Sequence, residues 1–157
     1  MGGEIKGRTF RGRYHLSIDS KGRVNVPAGF RDVLLDRYGD TRLILATPFD
    51  RCLRAYPLQE WEKIEDSIAV LPSTDARVKK YLRHFVASAV ECECDRQGRV
   101  LLPQAHKEWA GIDGGQIVFL GLVTKMELWD KGSYDSEMQD TDLSLVEKAI
   151  TELGGQI

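Results

Sequence analysis

A strict alternation of apolar and polar positions begins at Phe10 and predicts a β-strand. One side of the strand is apolar or small, and the other is polar and basic. The inward positions are Phe10, Gly12, Tyr14, Leu16 and Ile18. The outward positions are Arg11, Arg13, His15 and Ser17. Because successive side chains of a strand point to opposite faces, the pattern predicts a half-buried strand with a basic outer face.

The nine residues that follow this strand occur twice in the chain. Residues 19–27 read DSKGRVNVP and residues 95–103 read DRQGRVLLP, an offset of 76 residues. Asp, Gly, Arg, Val and Pro keep their places in both copies. An aspartate at the first position can accept backbone N–H groups, and the glycine can supply the positive φ of a tight turn. The turn-forming residues are therefore Asp19, Gly22, Asp95 and Gly98. A repeat of this kind indicates two copies of one structural unit.

The residues after each turn predict the same elements in the same order. Each proline can open a helix at its first turn, and apolar runs then predict two further strands. The predicted segments are 28–38 and 104–110 for the helices, 43–45 and 117–120 for the third strands, and 53–57 and 126–130 for the fourth strands. Each unit thus reads strand, turn, short strand, helix, strand, strand.

Helical periodicity predicts further helices between and after the units. Residues 58–84 carry apolar residues at helical spacing, interrupted at Pro72, and Ser73, Thr74 and Asp75 can cap a second helix. Residues 142–153 form an amphipathic pattern, which favours a helix docked on its own subunit. The expected organisation is a first β-rich unit at 10–57, a helical linker at 58–84, a second unit at 85–132 and a helical tail at 133–157.

Charge is distributed unevenly although the chain of 157 residues has a net charge of only −2. Residues 1–31 contain seven basic and two acidic residues, whereas residues 127–157 contain two basic and eight acidic ones. A basic head is compatible with nucleic-acid binding and equally with a solvated surface. No apolar run approaches the length of a membrane span or a secretion signal. We therefore expect a cytoplasmic protein with no membrane partner.

The three cysteines do not predict a disulfide framework. Cys92 and Cys94 could form half of a zinc site, but their equivalents in the first copy are Leu16 and Ile18. We therefore expect both thiols to pack as core residues, with no metal and no cofactor. His15 and His106 are expected in surface or packing roles. Since no catalytic motif occurs in the chain, we expect that it is not an enzyme.

The strand before the second turn is expected to be acidic where the first is basic. Its inward positions are Val86, Ser88, Val90, Cys92 and Cys94, and its outward positions are Ala87, Ala89, Glu91 and Glu93. Arg11 and Arg13 could face DNA phosphates, or they could pair with Glu91 and Glu93 of another copy or subunit. The sequence leaves both alternatives open.

The doubled motif, the opening FRGRY at 10–14 and the strand end Glu127-Leu128-Trp129 resemble the MraZ family of AbrB-like, swapped-hairpin transcription factors. The resemblance covers roughly residues 10–134, and residues 1–9 look like an extension before the usual start of the family. It implies an α+β, β-rich fold in which the two units form a pseudo-two-fold, β-barrel-like body. It also implies a ring-like homo-oligomer, associated with the nucleoid, that binds repeated short promoter sites of the division and cell-wall gene cluster.

The resemblance also assigns the turns to DNA contact. Arg23 and Arg99 carry this role, with Lys21 in the first turn and Arg96 in the second as further basic residues. Arg11 and Arg13 complete the candidate set of DNA-binding residues. The alternative is that Arg23 and Arg99 only hold the turns through ion pairs with the preceding aspartates. A second candidate function is an oligomeric protein-binding scaffold or an antitoxin-like module.

Overall fold

The computed structural model describes residues 8–139 and 141–157, which form eight strands and six helices. The strands are β1 Phe10–Ser17, β2 Arg23–Asn25, β3 Leu43–Ala46, β4 Leu53–Pro57, β5 Val90–Cys92, β6 Arg99–Leu101, β7 Gln116–Val123 and β8 Met126–Asp130. The helices are α1 Ala28–Val33, α2 Leu58–Ala69, α3 Ala76–His84, α4 Gln104–Ala110, α5 Lys131–Gln139 and α6 Leu143–Glu152. Except for Arg8 and Thr9, the extension predicted at residues 1–9 lies outside the described residues.

The predicted order of elements is confirmed in both repeats. The first helix continues beyond α1 as a π-helical turn at Leu34–Tyr38 and ends at Gly39, whose φ is +65°. The linker forms two helices as expected, and Asp75 caps α3 by accepting a hydrogen bond of 2.8 Å from the Arg77 backbone N–H. None of the described helices is long and apolar enough to cross a bilayer.

The first strand of each repeat pairs with the third strand of the other. Six strands form one antiparallel sheet in the order β1-β7-β8-β4-β3-β5, and β2 and β6 form a separate two-stranded ribbon. Exchanging the two repeats leaves this pairing unchanged, which gives the fold a pseudo-two-fold axis. Equivalent residues face each other on that axis, Val24 opposite Val100 in the ribbon and Arg54 opposite Glu127 in the sheet. The described strands form no closed barrel, and the barrel-like shape stays a prediction.

The main core lies between the sheet, the ribbon and the helices that follow each ribbon strand. Its fully buried side chains include Phe10, Phe30 and Phe119, whose rings meet edge to face. Burial of each such side chain contributes about 1.5–3 kcal/mol to stability. The residues predicted as equivalent inward positions, Leu16, Ile18, Cys92 and Cys94, all pack against this core. Their packing confirms that the two thiols take the places of aliphatic side chains.

The predicted strand before the second turn is wrong in its first half. Residues Val86–Ser88 form a 3₁₀ turn, and only Val90–Cys92 pair as a strand. The hydroxyl of Ser88 donates to the Phe85 carbonyl at 2.6 Å and accepts from the Thr47 N–H at 2.8 Å. A side chain that bonds the local backbone in this way competes with strand formation. Val90, predicted as inward, is consequently exposed.

Two further expectations about burial are corrected by the structure. Tyr14 on β1 was expected to be inward but is 38% exposed, because it caps the edge of Phe30 instead of entering the core. The expected docking of the last helix is also wrong, since every residue of α6 is exposed. The sheet face that α6 could have covered is already closed by Cys52 and Tyr134. The apolar side of α6 therefore has no partner within the described chain.

Candidate nucleic-acid interface

The first turn is built around the carboxylate of Asp19. Its Oδ1 accepts the backbone N–H groups of Lys21 and Arg23, both at 2.9 Å. Its Oδ2 accepts Nε of the Arg23 guanidinium at 2.8 Å. Gly22 closes the turn with a φ of +80° and donates its N–H to the Asp19 carbonyl. This network fixes the backbone of the turn and the orientation of the arginine together.

The second turn repeats this geometry. Oδ1 of Asp95 accepts the backbone N–H groups of Gln97 and Arg99, and Oδ2 accepts Nε of Arg99, all at 2.9 Å. Gly98 has a φ of +78°. In each turn the backbone N–H of the arginine is the main cause of a lowered aspartate pKa, and the guanidinium lowers that pKa further. The hydrogen bonds of each turn therefore favour the ionised form of its carboxylate.

The ribbon brings the two turns together. The Val26 N–H donates to the Gly98 carbonyl and the Leu102 N–H donates to the Gly22 carbonyl, both at 2.9 Å. Arg99 Nη1 lies 3.8 Å from Oδ2 of Asp19, so the two turns also share an ion pair. Each turn is thus bonded to the segment that follows the ribbon strand of the other repeat.

The two faces of the ribbon have opposite character. Val24 and Val100 are buried in the main core. The neighbouring positions on the other face are Arg23, Asn25, Arg99 and Leu101. At the tips of the turns, Lys21 and Arg96 are exposed. The structure thus gathers four of the six predicted basic residues on one small surface.

Two further cations beside the turns were missed in the sequence. Arg31 of α1 lies against the second turn, and its Cζ would be only 2.9 Å from a Cβ on Gly98. Lys107 of α4 lies against the first turn, with Nζ 3.1 Å from a Cβ position on Gly22. Both residues stand four positions after the repeated proline. That shared spacing was the available signal, although it does not reveal that each helix covers the turn of the other repeat.

Arg11 and Arg13 are exposed on β1 and are not part of the turns. The Arg13 guanidinium is 3.5 Å from the Tyr134 hydroxyl. No ion pair joins Arg11 or Arg13 to Glu91 or Glu93 within residues 8–139 and 141–157. A contact of this kind between subunits, and a role in DNA binding, both stay predictions.

The match to known proteins covers both repeats. The profile of the family described as "MraZ protein, putative antitoxin-like" matches residues 9–84 and 85–154. The chain belongs to the MraZ family. The resemblance noted in the motif is therefore confirmed, and the MraZ profile also extends over the helices that follow each repeat.

Relatives in the MraZ family are similar over most of their length. A protein named Transcriptional regulator MraZ from Acetivibrio thermocellus is 40% identical, over 86% of this chain and 90% of its own. Proteins with the same name from Caldanaerobacter subterraneus subsp. tengcongensis and Thermoanaerobacter pseudethanolicus are 40% and 41% identical, each over 88% of this chain and 92% of their own. The solution structure of PHS018 from Pyrococcus horikoshii matches 74% of this chain and 94% of its own chain, at 16% identity and with a TM-score of only 0.34.

Cys92 and Cys94 of this MraZ-family chain lie partly buried against the main core. Burial raises the pKa of the Cys92 thiol to about 12. No group of three or more histidine, cysteine or acidic side chains suited to a metal occurs among the described residues. His15 is exposed, and His106 is buried with Nε2 3.3 Å from the Leu45 carbonyl. The surface and packing roles expected for these histidines are confirmed.

Proposed function

We propose that the chain is a non-enzymatic transcriptional regulator of the MraZ type that binds double-stranded DNA through its paired turns. The observation that carries this proposal is the fusion of two matching turns into one surface. Six cations lie in or against the turns, beside two carboxylates. They are Lys21, Arg23, Arg31, Arg96, Arg99 and Lys107, with Asp19 and Asp95. The name carried by the relatives supports the same role.

The ion pairs inside the turns support DNA contact rather than oppose it. Each aspartate engages Nε of its arginine. Nη atoms of Arg23 have no hydrogen bond among the described residues. A guanidinium held at Nε keeps its terminal N–H groups available for a bidentate contact with guanine in the major groove. Lys21, Arg31, Arg96 and Lys107 then contact phosphates around the groove. The structural role and the recognition role of each arginine are compatible.

The same proposal includes the oligomeric state of the chain and its location in the cell. A single ribbon contacts one short site, so binding to repeated promoter sites needs several chains in one ring-like homo-oligomer. Linked sites of this kind raise overall affinity without any new contact. The target of this assembly is the promoter of the division and cell-wall gene cluster, so it acts at the nucleoid. Each subunit of the ring is a barrel-like pseudo-dimer of the two repeats. Light scattering behind a sizing column tests the assembly, and a 17.7 kDa monomer would contradict it.

A second candidate function rests on the last helix. Leu143, Leu145, Val146, Ile150 and Leu153 are exposed along α6. An unpartnered apolar helix face favours binding of another protein, as in a scaffold or an antitoxin-like module. Removal of residues 143–157 separates the two functions. DNA binding by the paired turns persists without α6, whereas a scaffold function would be lost.

Fluorescence anisotropy with duplex DNA from upstream of the gene tests DNA binding. We expect log K to fall with log salt at a slope of about −0.9 per neutralised phosphate, with roughly 3–6 phosphates engaged. Arg23→Ala weakens specific binding by about 1–3 kcal/mol. Arg77→Ala is the matched control, because the backbone N–H and Nε of Arg77 also donate to the carboxylate of an aspartate, Asp75, outside the turns. Equal losses in the two variants, or an affinity indifferent to salt, would reject the proposal.

A further inference from the structure

The outer face of the ribbon presents a two-by-two array of side chains. Arg23 lies opposite Leu101, and Asn25 lies opposite Arg99. Rotation about the pseudo-two-fold axis exchanges the two arginines, but it also exchanges Asn25 with Leu101. The array therefore combines a symmetric pair of cations with an asymmetric pair of one amide and one aliphatic side chain.

The asymmetric pair has no role in folding that the structure reveals. Leu101 is 57% exposed and belongs to none of the apolar clusters, although it stands among cations. Asn25 is the only asparagine of the chain, is exposed, and makes no side-chain hydrogen bond within the described residues. A single exposed leucine is common on protein surfaces. Its position on a proposed DNA-binding face, opposite Arg23 and two residues from Arg99, is the observation that needs a cause.

We infer that Asn25 and Leu101 are specificity-determining residues that read base edges beside the two arginines. The inference rests on the proposed DNA-binding function. The asparagine amide matches N6 and N7 of adenine in the major groove, and an aliphatic side chain contacts the C5-methyl group of thymine. Neither residue is charged, so neither contributes to the general attraction to phosphate.

The dimensions of the array fit this reading. Residues opposite each other in an antiparallel pair have Cβ atoms about 5 Å apart, and residues two apart along a strand are separated by roughly 6.6 Å. Base pairs are stacked about 3.4 Å apart. Side chains of the array therefore reach bases about two steps apart. The arginines, held by Asp19 and Asp95, contact guanines, and the asymmetric pair selects the bases between or beside them.

The test begins with duplexes selected from a random pool by the full-length chain. In the selected duplex, each thymine is replaced singly by deoxyuridine, which lacks the methyl group. Each adenine is replaced singly by 7-deazaadenine, which lacks the N7 acceptor. We expect one deoxyuridine position to weaken binding about four-fold, from the loss of one buried methyl group. We expect one 7-deazaadenine position to weaken it about three- to ten-fold.

Variants then assign these positions to side chains. Leu101→Ala should become insensitive to the deoxyuridine position, and Asn25→Ala to the 7-deazaadenine position, while both keep the salt dependence of the original chain. Leu35→Ala is the matched control, because Leu35 is 55% exposed in the π-helical turn away from the ribbon. It should keep the full response to both base analogues.

The outcomes separate this inference from the proposed function. If a duplex is selected but both scans are flat, or if the variants respond like the original chain, the specificity role is wrong and DNA binding stands. A uniform loss of affinity for all duplexes in Leu101→Ala would also overturn it. If no duplex is enriched and binding is independent of salt, the proposed function fails and the inference fails with it.

Discussion

In the first repeat, the outer face of β3 and β4 is covered by the α2–α3 pair through an aromatic cluster. Trp61 and Phe85 pack there on Tyr56, with ring centroids 5.3–6.3 Å apart. In the second repeat, the equivalent face of β7 and β8 is covered mainly by Tyr134 on Trp129 and by Cys52, and α6 stays free. The helices after the repeats have diverged, whereas the turns have kept the same hydrogen bonds. Turn geometry is thus the feature common to both repeats.

Duplication within one chain also allows differences on the pseudo-two-fold axis. Arg54 and Glu127 occupy equivalent positions and face each other with a hydrogen bond of 3.0 Å. In a symmetric dimer of identical chains, these positions would carry like charges, which destabilise a directly opposed pair. The duplicated chain replaces that repulsion by an ion pair. The same freedom allows the outer face of the ribbon to carry Asn25 in one repeat and Leu101 in the other.

The largest expected difference in stability is between substitutions at the last helix of each repeat, α3 with its C-cap residue Phe85 and α6. Phe85→Ala should lower the free energy of unfolding by about 3–5 kcal/mol, because it leaves a cavity in a closed aromatic cluster. Ile150→Ala on α6 should change it by less than about 0.5 kcal/mol, since Ile150 is 38% exposed and belongs to none of the apolar clusters. Urea unfolding of both variants checks this. A loss above about 1 kcal/mol for Ile150→Ala would mean that α6 is docked in solution.

Loss of the Arg54–Glu127 ion pair on the pseudo-two-fold axis should have the next largest effect on the free energy of unfolding. Glu127→Leu leaves the part-buried Arg54 with only its longer ion pair to Asp50, at 3.7 Å, and removes the acceptor of the Trp129 indole N–H. We expect a loss of about 2–3 kcal/mol, somewhat below the range for a fully buried pair because Arg54 is 28% exposed. The double variant Arg54→Leu, Glu127→Leu should recover part of this loss. If the double variant is less stable than Glu127→Leu, the loss of the close partner of the Arg54 guanidinium is not the cause of the destabilisation.

Alanine at the turn glycines should produce a smaller, similar loss in the two repeats. Gly22→Ala and Gly98→Ala place a side chain at φ near +80°, which costs about 1–2 kcal/mol. The new methyl group at Gly98 must also displace the Arg31 guanidinium, so DNA affinity should fall more than stability. Thermal unfolding and anisotropy on the same samples measure both quantities. A loss confined to one turn would contradict the equivalence of the repeats.

The smallest effect is expected in the pH dependence of stability. The lowered pKa of Asp19 means that its stabilising contribution is present above the ordinary aspartate pKa of about 3.9. It is lost as pH falls through the lower pKa of the folded state. Asp19→Asn should therefore differ from the original chain at pH 7 and converge with it in acid. Asp95→Asn should behave in the same way, because the Asp95 carboxylate makes the same contacts in the second turn. A constant difference from pH 7 to pH 3 would contradict this account.

Much of the candidate site was predictable because its signals are local. The spacing of Asp19, Gly22 and Arg23 specifies a turn whose hydrogen bonds span only four residues, and the second copy confirms its importance. Arg31 and Lys107 were missed because they lie against turn glycines that are 67 and 85 residues away in sequence. No spacing rule connects a helix in one repeat with a turn in the other.

The sequence by itself determined the duplication, the turns, the order of elements and the packing of Cys92 and Cys94 as core residues. Alternation and helical periodicity report which side of an element is apolar, since they depend only on backbone geometry. The tertiary structure alone decided that β1 pairs with β7, that β5 is short, and that α6 lacks a docking site. These outcomes depend on which apolar surfaces pack against each other. Those surfaces belong to segments far apart in the chain, so local sequence patterns do not report the result.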